Sequence, residues 1–571
     1  MAPAGTIPLM TTSLRRAFAL LIMAASLVLS IGSRHVRFVD DAWITFRYAA
    51  NLVNQGELVY NTHERVEGIT NLLWALILAA EDSLLPAPIE VLAAGSALVL
   101  LSLSLLRIWS LGLALDLDPL LAAVPPILLV LTPNIYGAMQ NGLEAALFAF
   151  LLAEAVFRVY RGHLAVASLA FGGLFLTRPE ALGLGAMGVL LVTWRLSRRG
   201  GSAFGKKVLE ARGGSELVVA FARLAIPLVM TVALATGFRL WYFGDYVPNS
   251  LRAKLYPYSL LLLEGGINYL AGFAAGNPHL MVILLVGAGI FLIGLLRPPT
   301  SREMPDRRSE FATAAMGISV LGILYSFVVV LRSGGDWMRE FRLLSQYGSL
   351  YGCLLLLTLS ALLTADGWRV PSRKALERGV ASRSSFNCWA LAAFLLGLMV
   401  TPMWKTASAA FQRFAGGAPF FAMLHTPGFE FWDSAALRLR AAPLHPSDIV
   451  ASEGIGYIGF ALPDSYIHDP LGLTDRHLAR TGKQRYPFGR MDLDYTLHQV
   501  NPAVLLWHYA GNLRSVDAAA IDAEYVTYCQ ADCATWSADI VMLRIDRATD
   551  LGPYFSDWQR LSMAELYARN P

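Results

Sequence analysis

Two adjacent carboxylates, Asp40 and Asp41, follow the first apolar segment of the chain and open the stretch DDAWITFRYAANLV. Charge close to a bilayer is costly, so acidic residues where a membrane helix emerges usually serve a purpose. An Asp at a helix start also caps that helix, but one Asp is enough for a cap. The second carboxylate therefore predicts chemistry at the membrane surface, with a carboxylate as general base.

Three further segments place carboxylates, amides and cations at predicted boundaries of apolar runs: TRPE (177–180), GDYVPNSLRAK (244–254) and SGGDWMREFR (333–342). Each segment alone has an ordinary interpretation as an interfacial anchor or a connecting loop. Together they suit a reaction in which cations hold a phosphate while a carboxylate takes a proton from an attacking hydroxyl. The leaving phosphate gains charge, which nearby cations stabilise.

The composition indicates a membrane protein. The chain of 571 residues is 55% hydrophobic and 15% charged, with a mean hydropathy of +0.49. A soluble domain averages about 25% charged residues, and apolar runs of roughly 17–25 residues are long enough to cross a bilayer. The net charge of +4 does not indicate nucleic acid binding, because the cations lie in short loops between apolar runs.

Eleven membrane crossings are predicted, with the basic loops 195–207, 297–308 and 368–379 in the cytoplasm by the positive-inside rule. The run 71–80 is too short to span, and we expect it and an amphipathic helix over 42–54 to lie at the outer surface. The predicted crossings are 15–33, 89–112, 119–133, 139–158, 163–177, 180–196, 217–243, 278–296, 312–331, 343–364 and 386–404. A cleaved signal peptide is the alternative for the first crossing.

The chain divides into a predicted transmembrane part, residues 1–404 with a first outer loop at 34–88, and a soluble region, residues 405–571. Charged residues, His and Pro become more frequent in the second part, and none of its runs is long enough to span. The segments SDIVAS (447–452), SYIHD (465–469) and AVLLWH (503–508) are the candidate strands, with short helices between them. We therefore expect a polytopic α-helical membrane protein with a mixed α/β domain on the outer, periplasmic side of a bacterial inner membrane.

The glycines of GIGYIG, residues 454–459, have the spacing of a dinucleotide-binding loop after a predicted strand. Pro463 limits the following helix to one or two turns, and no acidic residue about 20 positions later has a fitting context. The glycines are better explained as a tight turn from a strand into a helix.

Two of the four cysteines, Cys529 and Cys533, lie in the soluble region. A zinc site would need two more ligands at suitable spacing, and the sequence offers no such pair. We predict a local disulfide, which an oxidising compartment would favour, and neither a metal nor a cofactor.

The first outer loop, VDDAWITFRYAANLVNQGELVYNTHERVEGITNLLW (39–74), resembles that of GT-C superfamily glycosyltransferases. It is most similar to the terminal arabinofuranosyltransferases of mycobacterial cell-wall synthesis. TRPE, VPNSLRAK, SGGDWMREFRLL and HDPLGLTD (468–475) resemble further blocks of that family in the same order. The resemblance implies a catalytic Asp in the first outer loop and a polyprenyl-phosphate sugar as donor, decaprenylphosphoryl arabinose in mycobacteria.

Together with these residues, the resemblance implies an enzyme that transfers a sugar, with arabinofuranose as the candidate, from a polyprenyl phosphate to a polysaccharide or other acceptor at the outer membrane face. Asp40 is the first candidate for the base and Asp41 the second. The candidate phosphate contacts are Arg178, Arg342 and Lys254. The candidate sugar or acceptor contacts are Arg47, Glu67, Asn71, Glu180, Asn249 and Asp336. The alternatives are a transporter of lipid-linked sugars and a non-catalytic scaffold that binds glycan.

Overall fold

The structure, a computed structural model, consists of a helical bundle followed by an α/β region. It describes residues 11–33, 38–198, 214–296, 307–338, 340–364, 384–415, 430–485, 488–508, 510–514, 516–531, 533–535 and 537–569. The three basic loops that set the predicted orientation fall largely or wholly outside these ranges. The sidedness of the chain therefore stays a prediction.

Seventeen helices of the described residues precede the α/β region. They are α1 (Thr12–Ser33), α2 (Asp40–Gln55), α3 (Leu72–Leu84), α4 (Ile89–Ala114), α5 (Pro119–Leu131), α6 (Pro133–Met139), α7 (Ala145–Tyr160), α8 (Leu164–Thr177), α9 (Leu182–Arg198), α10 (Gly214–Tyr242), α11 (Asn249–Lys254), α12 (Leu260–Gly276), α13 (Pro278–Leu296), α14 (Arg307–Ser333), α15 (Arg342–Ser345), α16 (Gly348–Thr364) and α17 (Ser384–Ala415). A 3₁₀ turn, Pro179–Ala181, connects α8 to α9.

Six described helical segments are long and apolar enough to cross a membrane: α1, α4, Leu217–Tyr242, Pro278–Leu295, Arg308–Ser333 and Arg342–Leu363. The bent pair α5 and α6 makes a seventh. Seven of the eleven predicted crossings correspond to these segments. The predicted crossings 139–158, 163–177 and 180–196 coincide with α7, α8 and α9, which have only 16, 14 and 17 residues. The predicted crossing 386–404 lies within α17. The predicted count is therefore corrected to six or seven helices of spanning length among the described residues.

Helix α2 begins at Asp40, at the acidic pair and two residues before the predicted amphipathic helix 42–54, and α3 covers the short apolar run that was expected to lie on the outer surface. Both helices are more buried than expected. Trp74 of α3 is 1% exposed and Phe46 of α2 is fully buried. Their apolar faces form one cluster with the start of α4 and with Leu143 and Leu147, so the first outer loop is packed against the bundle.

The α/β region contains one six-stranded sheet in the order β2-β1-β5-β7-β6-β8, and a hairpin of β3 and β4. Its strands are β1 (Ile449–Ser452), β2 (Tyr466–His468), β3 (Lys483–Arg485), β4 (Gly489–Met491), β5 (Val504–Trp507), β6 (Tyr525–Ala531), β7 (Asp539–Arg544) and β8 (Gln559–Leu561). Its helices are α18 (Glu430–Ala441), α19 (Ile455–Ala461), α20 (Arg476–Thr481), α21 (Ala518–Glu524), α22 (Ile545–Leu551) and α23 (Met563–Arg569), with single turns at Tyr495–Val500, Ala510–Leu513 and Gly552–Phe555.

The three predicted strands are confirmed as β1, β2 and β5, which pair in parallel with Val450 opposite both Ile467 and Val504. The remaining neighbours in the large sheet are antiparallel. The glycine-rich turn leads from β1 into the seven-residue helix α19, which confirms the turn and excludes the long helix of a dinucleotide fold. Cys529 and Cys533 form the predicted disulfide, with their Cα atoms 5.7 Å apart.

Successive residues of β5 point to opposite faces of the sheet, and the two faces belong to separate hydrophobic cores. Leu505 and Trp507 pack with α21 and α23. Val504 and Leu506 belong to the same cluster as Ile44 of α2 and other buried residues of the first outer loop. One face of the sheet therefore shares its core with that loop.

Candidate active site

A cavity of about 500 Å³ lies where the first outer loop meets the ends of several bundle helices. Its polar wall comes from the start of α2, from residues 68–71, and from segments 143–144, 178–180 and 333–342. Its apolar wall comes from the end of α14 and from the residues after α11, including Val328, Val329 and Leu255. The cavity thus combines fixed charges with a surface suited to a hydrocarbon chain.

Asp41 lies in the first turn of α2 and lines this cavity. Its carboxylate is 3.8 Å from Nη1 of Arg342, whose Nη2 is 2.8 Å from the carboxylate of Asp336. Burial opposes ionisation of Asp336, but Arg342, Lys254 and Arg178 outweigh it and lower the pKa of Asp336. Asp336 therefore stays charged and holds Arg342 beside Asp41.

A second charged group faces the same cavity. Nη2 of Arg178 is 2.6 Å from the buried carboxylate of Glu144, and Nη1 is 3.3 Å from Glu180. Glu144 also accepts a hydrogen bond of 2.7 Å from Nδ2 of Asn71, which exchanges hydrogen bonds with Thr45 of α2. Arg178, Glu180 and Asn71 are thus brought together as the sequence predicted.

Lys254 is the last residue of α11 and the third predicted phosphate contact that lines the cavity. Within the part of the chain that the structure describes, its ammonium group makes no hydrogen bond or ion pair. Arg178 and Arg342 are by contrast already bound to carboxylates. Among the described residues, Lys254 and Arg332, which donates 3.0 Å to the carbonyl of Tyr256, are therefore the lining cations that no carboxylate holds and that are available to an anionic ligand.

Asp40, the first candidate for the base, does not line the cavity. Its two carboxylate oxygens accept hydrogen bonds from the backbone N–H groups of Gly456 and Tyr457, each 2.9 Å long. Burial raises the pKa of Asp40 to about 6, although these two hydrogen bonds lower it. Its side chain does not cap its own helix either; it caps α19. Asp41 therefore replaces Asp40 as the first candidate for the general base.

Arg47 and Asn249, predicted to bind sugar or acceptor, have structural roles instead. Arg47 is 3% exposed and donates 2.7 Å from Nε to the carbonyl of Tyr60. Asn249 is 7% exposed, and its Nδ2 lies 3.0 Å from the carbonyl oxygens of Gly472 and Leu473. Each side chain connects the helical part to the α/β region.

Glu67, another predicted sugar contact, also lies outside the cavity lining. Its carboxylate forms an ion pair with Arg239 of α10 at 2.9 Å, and both side chains are 2% exposed. The pair fixes the first outer loop to the end of a membrane helix. Glu67 is therefore assigned to the stability of the loop and not to ligand binding.

Two charged residues of the cavity lining, Glu144 and Arg332, were not predicted. Glu144 lies within the predicted crossing 139–158. An ionisable residue inside an apolar run is by default a functional candidate, and that signal was present. The described residues contain no group of three or more His, Cys, Asp or Glu side chains placed to hold a metal ion. The carboxylates of Asp41 and Asp336 both lie beside the guanidinium of Arg342.

Comparison with solved structures identifies the fold. The apo crystal structure of the Archaeoglobus fulgidus oligosaccharyltransferase matches with a TM-score of 0.55 and 11% identity, over 91% of this chain and 74% of that chain. The same organism's AglB in complex with an inhibitory peptide and a dolichol-phosphate matches with a TM-score of 0.52 and 11% identity, over 90% and 73%. The chain has the GT-C fold. This confirms the fold class that the outer-loop blocks predicted.

ArnT from Cupriavidus metallidurans bound to undecaprenyl phosphate gives a TM-score of 0.47 and 14% identity, over 92% of this chain and 97% of that chain. No protein-family model and no curated protein matches the chain.

Replacing Glu67 with Gln tests its structural assignment. The change leaves Arg239 charged and buried without its partner, which typically costs about 3–5 kcal/mol. We expect a clearly lower melting temperature of the detergent-solubilised protein. Glu57→Gln is the matched control, because Glu57 contacts only exposed partners, Arg65 at 3.8 Å and His63 at 3.5 Å, and such surface pairs contribute about 0–1 kcal/mol. Equal stability of the two variants would contradict the assignment.

Proposed function

We propose that this membrane protein is a glycosyltransferase that takes a sugar from a polyprenyl phosphate and transfers it to a hydroxyl acceptor. The observation that carries the proposal is the composition of the cavity. A carboxylate, Asp41, an ammonium group, Lys254, and an apolar wall at the end of α14 border the same space. These are the three elements that such a donor and its reaction require.

The lipid phosphate would bind Lys254. A phosphate needs positive charge that is not already neutralised, and Arg178 and Arg342 are each held by a carboxylate. These two arginines would act as orienting donors whose own positions are fixed by Glu144 and Asp336. AglB, a protein of similar fold, was solved in complex with a dolichol-phosphate, which supports a lipid phosphate as ligand here.

Asp41 would act as the general base. It would accept the proton of the acceptor hydroxyl while that oxygen forms a bond to the anomeric carbon of the sugar. The bond between the anomeric carbon and the phosphate oxygen breaks, and the phosphate leaves with the bonding electrons. Lys254 would stabilise the charge that develops on the leaving group, an interaction that is stronger in the transition state than in the ground state.

The remaining cavity residues suit the sugar and the lipid chain. Asn71 and Glu180 offer an amide and a carboxylate at the polar wall, where hydroxyl groups need partners. Val328, Val329 and Trp337 extend the apolar wall, along which the first isoprene units would lie. From the resemblance of the outer loops, arabinofuranose is our first candidate for the sugar and a cell-envelope polysaccharide our first candidate for the acceptor.

The direct test is to incubate membranes that contain the protein with a panel of polyprenyl-phosphate sugars, including decaprenylphosphoryl arabinose, and to analyse the glycan and the released lipid phosphate. We expect one donor to yield a glycosylated product only when the protein is present. Membranes with the Asp41→Asn variant are the control for background transfer. Absence of product from every donor in the panel would contradict the proposal.

Asp41→Asn should reduce the transfer rate by about 10²-fold or more, the usual scale for the loss of a general base. Asn has nearly the shape of Asp but takes up no proton, so we expect donor binding and protein yield to stay near wild type. The measurement is the rate of product formation at saturating donor by purified protein. A wild-type rate would remove Asp41 from the reaction.

Lys254→Met should weaken donor binding and also reduce the maximal rate, together by about 10²-fold, because the apolar stem remains while the charge is lost. Transfer is measured against donor concentration. The control is Lys483→Met, since Lys483 lies exposed on β3 and outside the cavity lining. If the two variants behave alike, the phosphate is held elsewhere, with Arg178 and Arg342 as the next candidates.

A reporter that fluoresces only in the cytoplasm should stay dark when it is fused after Pro571, because we place the α/β region on the periplasmic side. The positive control is a fusion to the chain truncated after Gly205, inside a basic loop that we place in the cytoplasm. Bright cells with the full-length fusion would reverse the orientation of the cavity.

A further inference from the structure

Helix α2 carries Asp41 and packs along α19 of the α/β region. At the first residue of α2, the carboxylate of Asp40 accepts the backbone N–H groups of Gly456 and Tyr457 at 2.9 Å. The hydroxyl of Tyr60, in the first outer loop, donates 2.6 Å to the carbonyl of Ile455. The beginning of α19 is therefore fixed by two side chains of the first outer loop.

The other end of α19 is bound by Arg47, seven residues after Asp40. Its guanidinium donates to the carbonyl oxygens of Gly459, of Leu462 at 3.2 Å and of Ser465 at 3.0 Å. Seven residues of helix rise about 10.5 Å, and α19 itself has seven residues. The spacing of the acid and the arginine on α2 thus matches the length of α19.

Between these ends the two helices are in close contact. A Cβ atom on Gly456 would overlap the carbonyl oxygen of Asp40, and one on Gly459 would overlap the hydroxyl of Tyr60. The ring of Trp43 lies 5.1 Å from Tyr457 and 5.0 Å from Phe460, measured between ring centroids. The glycines of the turn are therefore required for this approach, which explains a motif that has no part in nucleotide binding.

The contact with α19 and the cavity occupy adjacent faces of α2. Asp41, Ile44 and Thr45 line the cavity, at the i, i+3, i+4 spacing of one helix face. Asp40, Trp43 and Arg47 face α19, and Asp40 is the immediate neighbour of Asp41. A shift or rotation of α2 relative to α19 would move Asp41 directly.

We propose that the α/β region sets the position of Asp41 through a clamp, formed by Asp40 and Arg47 on the two ends of α19, and that both are positioning residues for the transfer reaction. The proposal rests on the function proposed above for Asp41. Of the residues after 404, only Leu473 lines the cavity among those that the structure describes. The α/β region would thus act on the reaction mainly through α2.

The test compares three clamp variants, Asp40→Asn, Arg47→Lys and Gly456→Ala, none of which alters a cavity-lining side chain. Gly95→Ala in α4 is the matched control, because a Cβ there would meet no atom within 4 Å. We expect kcat to fall at least about tenfold in the clamp variants while the KM for the donor changes less than about twofold, since Lys254 is untouched. Gly95→Ala should match wild type.

Hydrogen–deuterium exchange gives a readout that does not depend on activity. We expect the backbone amides of Gly456 and Tyr457, and those of α2, to exchange faster in Asp40→Asn and Arg47→Lys but not in Gly95→Ala. Arg47→Lys is the mildest change, because it keeps the charge and loses only the planar fork. It decides the outcome if Asp40→Asn or Gly456→Ala fails to fold.

The outcomes separate the clamp from the proposed function. If Asp41→Asn is inactive but the folded clamp variants keep the wild-type kcat, the clamp proposal is overturned and the function stands. If wild-type protein uses no donor of the panel, the function is overturned, and faster exchange in the variants still supports the contact between α2 and α19. If none of the three variants folds, the contact serves folding, which overturns a positioning role.

Discussion

Charges at the edge of a bilayer have to be paired, and this constraint determines how the cavity is built. Burying an unpaired ion costs several kcal/mol, and two guanidinium groups of the wall, those of Arg178 and Arg342, are each held by a carboxylate. Arg178 after α8 binds Glu144 before α7, and Arg342 at the start of α15 binds Asp336. The Arg178–Glu144 pair holds the end of α8 beside the start of α7, and the Arg342–Asp336 pair holds the segment between α14 and α15. Lys254 lines the same cavity without a bound carboxylate, so its positive charge is available to an anionic donor.

The α/β region is joined to the first outer loop by a continuous core and is not an independent module on a linker. Ile44, Tyr60 and Ile69 of the loop pack in the same cluster as Val450 and Val504 of the sheet. Polar contacts at the border, such as Asn249 to the carbonyl groups of Gly472 and Leu473, satisfy backbone groups that burial would otherwise leave unpaired. The loop that carries the candidate base is thus held by membrane helices on one side and by the sheet on the other.

The sequence predicted the fold class, the start of α2 and three strands, because hydrophobic periodicity reports burial of the local chain. Helix lengths were less accessible, since α7 to α9 have 16, 14 and 17 residues, at or below the lower end of the range of roughly 17–25 that crosses a bilayer. Polar residues at the boundaries of apolar runs led to six predicted contacts that line the cavity: Arg178, Glu180, Asn71, Lys254, Asp336 and Arg342. Arg47 and Glu67 have the same local appearance, but Ser465, a partner of Arg47, lies 418 residues away, and Arg239, the partner of Glu67, lies 172 residues away. Local sequence contains no information about such partners.

Asp40 and Asp41 are adjacent residues of the same type, but their surroundings in the structure differ. Neighbouring residues of a helix point about 100° apart, so Asp40 and Asp41 cannot face the same partner. Asp40 is buried and saturated by two N–H donors, and burial raises its pKa to about 6. A base must meet solvent or substrate, and of the two only Asp41 lines the cavity. The two carboxylates therefore have different roles. Asp40 is immobilised by its contact with α19 and holds α2 in place, so that Asp41 is presented to the cavity at a defined position.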